Sequence, residues 1–205
     1  MKTDDLISAL AQENGAALRA PGLTLSLTMG ACLAVAGTIG LSVLLYGVRS
    51  DGPTSGALGL GVWSLLAVVA LISATRLKLP EPAPWLVIVG PLVGLLSLLL
   101  VVAMLAHSQG IALVRMDHLV HCLQTVGLLS VIPFLGMSAM MRRNAPASPL
   151  AAGAIAGLVA GAVGALAYSI SCPISDPVAS LSAHTLTVLI IASVGALLGH
   201  RFYAW

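Results

Sequence analysis

The side chains able to do chemistry gather in two short stretches of this chain. His118, His121 and Cys122 stand close together, and Cys172-Pro173 is followed at a distance by His184. His118 and Cys122 are four residues apart, so on a helix they share a face, with His121 at its border. Three kinds of chemistry fit these residue types. Cys122 and Cys172 can pair, as a disulfide or as two thiols, if the fold brings their backbones to the roughly 5.5 Å Cα separation a disulfide needs. The same two sulfurs, with His118, His121 or His184, can bind a soft metal ion such as copper, zinc or cadmium. The third reading is that all five are separate polar residues at a wet interface. The H-x-x-H-C spacing does not decide between them.

Other chemistries are disfavoured. The chain has no phosphate-binding glycine loop, dinucleotide fingerprint or G-x-S-x-G elbow. Few ionisable residues stand deep in its apolar stretches, where a pump or ion carrier keeps charged groups. An enzyme is therefore not expected, no cofactor is required, and direct binding to nucleic acid is not expected.

These side chains must be positioned by helices in a membrane. Of 205 residues, 59% are hydrophobic and 8% charged, against about 25% charged in an average soluble domain. Six apolar runs, roughly 23–48, 57–75, 84–106, 119–141, 150–170 and 179–199, fill the chain. Each approaches the ~20 apolar residues that cross a bilayer core as a helix. None alternates as a barrel strand would. The fold class expected is all-α: a polytopic membrane protein of six transmembrane helices. Residues 1–21 form a separate cytoplasmic segment ahead of a membrane domain over 22–205.

Orientation follows from the basic residues. Lys2, Arg19, Arg76, Lys78, Arg142, Arg143 and Arg201 fall on one side, and only Arg49 and Arg115 on the other. The first side is expected to be cytoplasmic, with both termini inside and Cys122 and Cys172 on the oxidising side. Cys32 falls in the middle of the first run.

Ahead of the first run, Leu6, Ile7 and Leu10 lie on one helical stripe, with Asp4 and Asp5 in its first turn. A helix lying on anionic lipid usually carries Lys and Arg on its polar face. This one is acidic, which favours a protein groove over the bilayer surface. In the fifth run Gly153, Gly157 and Gly161 recur at four-residue spacing, with Gly164 following. Such spacing lets helix backbones approach closely, within the bundle or between copies in a homo-oligomer. Packing within the bundle is the favoured reading.

Several stretches resemble one family. Met1-Lys2-Thr3-Asp4-Asp5-Leu6-Ile7 resembles its N-terminal start, and Cys122-Leu123 its first cysteine position. Arg142-Arg143-Asn144-Ala145-Pro146, the run Ala167-Tyr168-Ser169-Ile170-Ser171-Cys172-Pro173, and the ending from Gly195 to Trp205 are similar to later parts. The family is that of the negative regulators of sigma F (NrsF), six-span anti-sigma factors of the bacterial inner membrane. The resemblance implies that the chain sequesters an extracytoplasmic-function (ECF) sigma factor and releases it on periplasmic stress, redox or heavy-metal. It also implies that Cys122 and Cys172 do the sensing. Residues 1–20 would bind the sigma factor, with Asp4, Asp5, Leu6, Ile7 and Leu10 as the contacts. The histidines lie outside the family pattern. The alternative expectation is a small membrane transporter or metal-handling protein that uses the His/Cys cluster directly. A change at the cysteines is expected to reach the cytoplasm by shifting the fourth and fifth spans, whose inner ends meet at the loop from Arg142 to Pro149.

Overall fold

The computed structural model describes residues 21–48, 54–76, 84–108, 116–143, 148–172 and 177–203. Asp4, Asp5, Leu6, Ile7 and Leu10 lie outside them. So do the side chains of His118 and Cys32. The chain divides into two compact units, Met1–Ala34 and Val35–Trp205.

The described residues form helices: α1 (Pro21–Tyr46), α2 (Thr54–Arg76), α3 (Pro84–Ser108), α4 (Met116–Arg143), α5 (Pro149–Ser169) and α6 (Pro177–Phe202). The all-helical expectation holds. Three of them are long and apolar enough to cross a membrane, over Leu119–Arg142, Pro149–Ser169 and Pro177–Phe202. The other three contain shorter apolar stretches among the described residues, Leu33–Tyr46, Leu58–Ala74 and Val89–Val101. Exposed leucines and valines cover the outer faces of α2, α3 and α4. That is the surface a helix bundle presents when its surroundings are as apolar as its side chains.

The bundle is built around α5. This helix starts cleanly because Ser148 is its N-cap, its hydroxyl accepting the Ala151 N–H at 3.4 Å, and Pro149 occupies the first turn. Alanine and glycine then fill most of it, and nearly every residue from Ala151 to Ser169 is buried. Its most extensive contact is with α6, followed by α4 and α2.

The α5–α6 contact is a meeting of backbones. A Cβ on Gly157 would stand 2.6 Å from the Ile191 carbonyl oxygen and 2.9 Å from Ala192 Cα. One on Gly199 would stand 2.6 Å from Gly153 Cα. Further along α5, Gly161 faces Val188 of α6, and Gly164 faces Val126 and Ser130 of α4. The glycine spacing is thus used inside the chain, as the favoured reading had it. Several buried hydroxyls are satisfied by their own helices. Ser130 donates to Val126 O at 2.6 Å, Ser169 to Ala165 O at 2.7 Å and Thr187 to Ala183 O at 2.8 Å. Such i−4 bonds remove the cost of a lone hydroxyl in an apolar setting.

Overpacking a close helix contact costs roughly 1–3 kcal/mol. Gly157→Ala should therefore lower the unfolding temperature in detergent. Gly94→Ala, where an added Cβ meets nothing within 4 Å, should leave that temperature unchanged or raise it. Equal behaviour of the two variants in a thermal melt would contradict this packing.

Candidate functional site

The beginnings of α4 and α6 and the ends of α1 and α5 come together in one polar and aromatic cluster. Its centre is Tyr168, the penultimate residue of α5 and 1% exposed. Three rings approach it edge-on. Tyr46 of α1 lies 5.7 Å away between centroids, His184 of α6 5.7 Å and His121 of α4 6.1 Å. Trp63 of α2, fully buried, meets His184 in turn at 6.1 Å. Edge-to-face pairs at such distances are favourable beyond their buried area, by about 0.5–1.5 kcal/mol each. The cluster thus ties five helices at one end of the bundle.

The two cysteines meet beside this centre. Cys122 belongs to the second turn of α4, and Cys172 follows the end of α5. Both are free thiols and both are buried. Their sulfur groups are within hydrogen-bonding reach of one another. Cys172 Sγ also lies 3.7 Å from the Ser180 hydroxyl at the start of α6. Thr125, one turn beyond Cys122, shares a hydrogen bond with the Tyr168 hydroxyl. The side chains of Cys122, Thr125, Tyr168, Cys172 and Ser180 therefore form one polar group, walled by Trp63, His184 and His121.

Among the described residues, His121 and His184 do not complete a metal centre. His121 is exposed and packs on the Tyr168 ring, while His184 is enclosed between Tyr168 and Trp63. Among the described residues, no group of three or more His, Cys, Asp or Glu side chains gathers to hold a metal ion. The two sulfurs alone fall short of the four ligands a structural zinc takes, and suit a soft ion of low coordination number such as copper(I) better. The chemistry best matched to two apposed thiols is their joint oxidation or joint capture of a thiophilic reagent.

Sequence reasoning named the cysteines and two of the wall residues. It missed Tyr168, Thr125, Tyr46 and Trp63. The signal for Tyr168 and Thr125 was present in helical spacing, since Tyr168 precedes Cys172 by four residues and Thr125 follows Cys122 by three. Trp63 and Tyr46 carry no such mark, because nothing local reveals which face of α2 or α1 turns toward α6 or α5.

A helical bundle with three helices long and apolar enough to cross a membrane, and a buried thiol pair at one end, is the class of protein these features define. The model of the negative regulators of sigma F (NrsF) matches residues 10–205. The chain belongs to that family, and so to the negative regulators of a sigma factor, its protein partner. Comparison with curated proteins and with solved structures returned no match.

Burial of both sulfurs sets a testable reactivity. In the folded protein Cys122 and Cys172 should react slowly with a bulky maleimide and rapidly once the chain is denatured. A small two-electron oxidant should join them within one chain, with a loss of two hydrogens in the mass spectrum of the peptide pair. Rapid labelling of both thiols in the native state would contradict the packing described.

Proposed function

We propose that this protein is a multi-pass anti-sigma factor of the bacterial inner membrane that releases an ECF sigma factor when the Cys122–Cys172 pair is modified. It crosses the membrane six times, with both termini in the cytoplasm. α1, α2 and α3 serve as the first three spans despite their shorter described apolar stretches. The distribution of Lys and Arg supports this orientation. It puts the end of the bundle that holds the thiols on the periplasmic side. Family membership supports the sigma-factor partner. The single observation that carries the sensing role is the meeting of Cys122 and Cys172 from different helices, buried against Tyr168.

The cytoplasmic element is residues 1–20. Leu6, Ile7 and Leu10 fill a hydrophobic groove of the sigma factor while Asp4 and Asp5 meet basic groups at its rim. Burial of three aliphatic side chains contributes roughly 5–9 kcal/mol gross, before the cost of association and ordering. Additional contacts from the cytoplasmic loops, Arg142 and Arg143 among them, make up the difference. A sigma factor held on this surface cannot engage core polymerase.

The sensing step is thiol chemistry. In its redox form the two S–H bonds break and one S–S bond forms. The two protons and two electrons pass to a peroxide-class oxidant, whose O–O bond is reduced to an alcohol, or to water, and a water. A thiophilic metal ion acts on the same pair by replacing both protons. No cofactor is needed for the resting state. Self-association through the glycines of α5 is not part of this reading, because those glycines already face α6 and α4.

A pull-down from native membranes tests the partner and its binding element. A sigma factor should copurify with the full-length chain and be lost on deletion of residues 2–12, with membrane insertion unchanged. Retention of the sigma factor by the deletion, or its absence from both samples, would contradict the proposal. Cys122→Ser with Cys172→Ser should abolish stress-induced release while leaving sequestration intact, measured as reporter output from a sigma-dependent promoter.

A further inference from the structure

The ends of α1 and α5 are joined by hydrogen bonds that pass directly beside Cys172. α1 ends at Gly47, whose N–H donates to Val43 O at 2.9 Å and whose φ of +75° is the left-handed turn that stops a helix. α5 ends where the Ser171 N–H turns back to Tyr168 O at 2.9 Å. In a continuing helix that N–H would have gone to Ala167 O. Both ends therefore have a carbonyl without its helical donor, Ala167 O in a buried setting and Gly47 O in an exposed one.

Each helix supplies the donor for the other. The Ser42 hydroxyl of α1 donates to Ala167 O of α5 at 3.0 Å, in a buried setting. The Ser171 hydroxyl, just past α5, donates to Gly47 O of α1 at 2.6 Å. The two hydroxyl oxygens are 3.3 Å apart, close enough for either to donate to the other. The Tyr46–Tyr168 ring contact closes the same junction. Thr38 and Ser42 are both fully buried, which keeps this polar face of α1 against the bundle.

We infer that this reciprocal cap, Ser42 on α5 and Ser171 on α1, transmits the state of the Cys122–Cys172 pair to the end of α1, the helix that follows residues 1–20 in the chain. The inference rests on the proposed sensing role of the thiols. Its physical basis is which cysteine can move. Cys122 is held inside a continuous helix, whereas Cys172 sits in the non-helical backbone one residue after Ser171. A covalent S–S bond draws the sulfurs closer than thiols in hydrogen-bond contact, and Cys172, outside any helix, shifts with less loss of helical hydrogen bonding than Cys122. Its displacement takes the Ser171 hydroxyl off Gly47 O and loosens the last turn of α1. This route runs through the end of α1 rather than through the loop between α4 and α5 that the sequence suggested.

Hydrogen–deuterium exchange on the purified full-length protein in nanodiscs tests the coupling without the sigma factor. Diamide is the oxidant, its N=N bond taking up the two protons and two electrons from the thiols. Oxidation should speed exchange in the peptide covering the end of α1 by about three- to tenfold, the factor for loss of one hydrogen bond of ordinary net strength. The same treatment should change nothing in C122S/C172S. Unchanged exchange at the end of α1 in oxidised wild-type protein would overturn the inference.

A release assay in native membranes completes the test. S42A/S171A lacks the cap in either thiol state, so it should oxidise at the wild-type rate, read by a maleimide gel shift, yet release its sigma factor without diamide. Ser42→Thr, which retains the hydroxyl, should release as wild type does. Retention of the sigma factor by reduced S42A/S171A, as by reduced wild type, would overturn the coupling alone. Oxidised wild type that holds its sigma factor would instead overturn the sensing reading beneath it.

Discussion

Inside a bilayer the hydrophobic effect cannot press helices together, since lipid tails are as apolar as leucine. Close backbone approach must do that work, and here it is concentrated in the contact between α5 and α6. Gly153 and Gly157 on one side meet Gly195 and Gly199 on the other with no room for a Cβ. Everything else in the bundle refers to this pair. α4 reaches α5 through Val126 and Ser130 at Gly164, and α2 reaches it where Ser169 nears Gly59. With α5 fixed in this way, its end becomes the point at which the neighbouring helices are compared.

The polar groups of the bundle are placed where that comparison happens. Along the spans, serines and threonines return their protons to their own helices and carry no information between them. At the end of α5 the pattern changes. Tyr168, Thr125, Cys122, Cys172, Ser171 and Ser42 bond between helices, and their partners belong to α1, α4 and α5. In the proposed sensing role, a small covalent change would act here because the members of the site hold one another. Moving one of them leaves a carbonyl or hydroxyl unsatisfied in an apolar setting, at a cost of about 1–3 kcal/mol. That range covers the ~1.4 kcal/mol that shifts a two-state equilibrium tenfold.

Much of this was legible in the residues. Long apolar runs fix helices almost without competition, because lipid leaves the backbone few other choices. The glycine spacing over Gly153–Gly161 correctly marked the tightest contact, and the two cysteines marked the site. The histidines were the less informative signal. His121 and His184 are ring neighbours of Tyr168, and nothing in their spacing separates that role from metal ligation. The reciprocal cap was not legible. Ser42 and Ser171 are far apart in sequence and are two of many serines in apolar surroundings. Only the helix ends, set by Gly47 and by the turn at Ser171, give them a common task.

The account stands on a thiol state at one end of the bundle altering protein binding at the other. Its most direct test is the affinity of the copurifying sigma factor for the purified chain in nanodiscs, measured with the Cys122–Cys172 pair reduced and then oxidised. The account predicts that oxidation weakens binding about tenfold or more, and that reduction restores it. Equal affinity in the two states would contradict it.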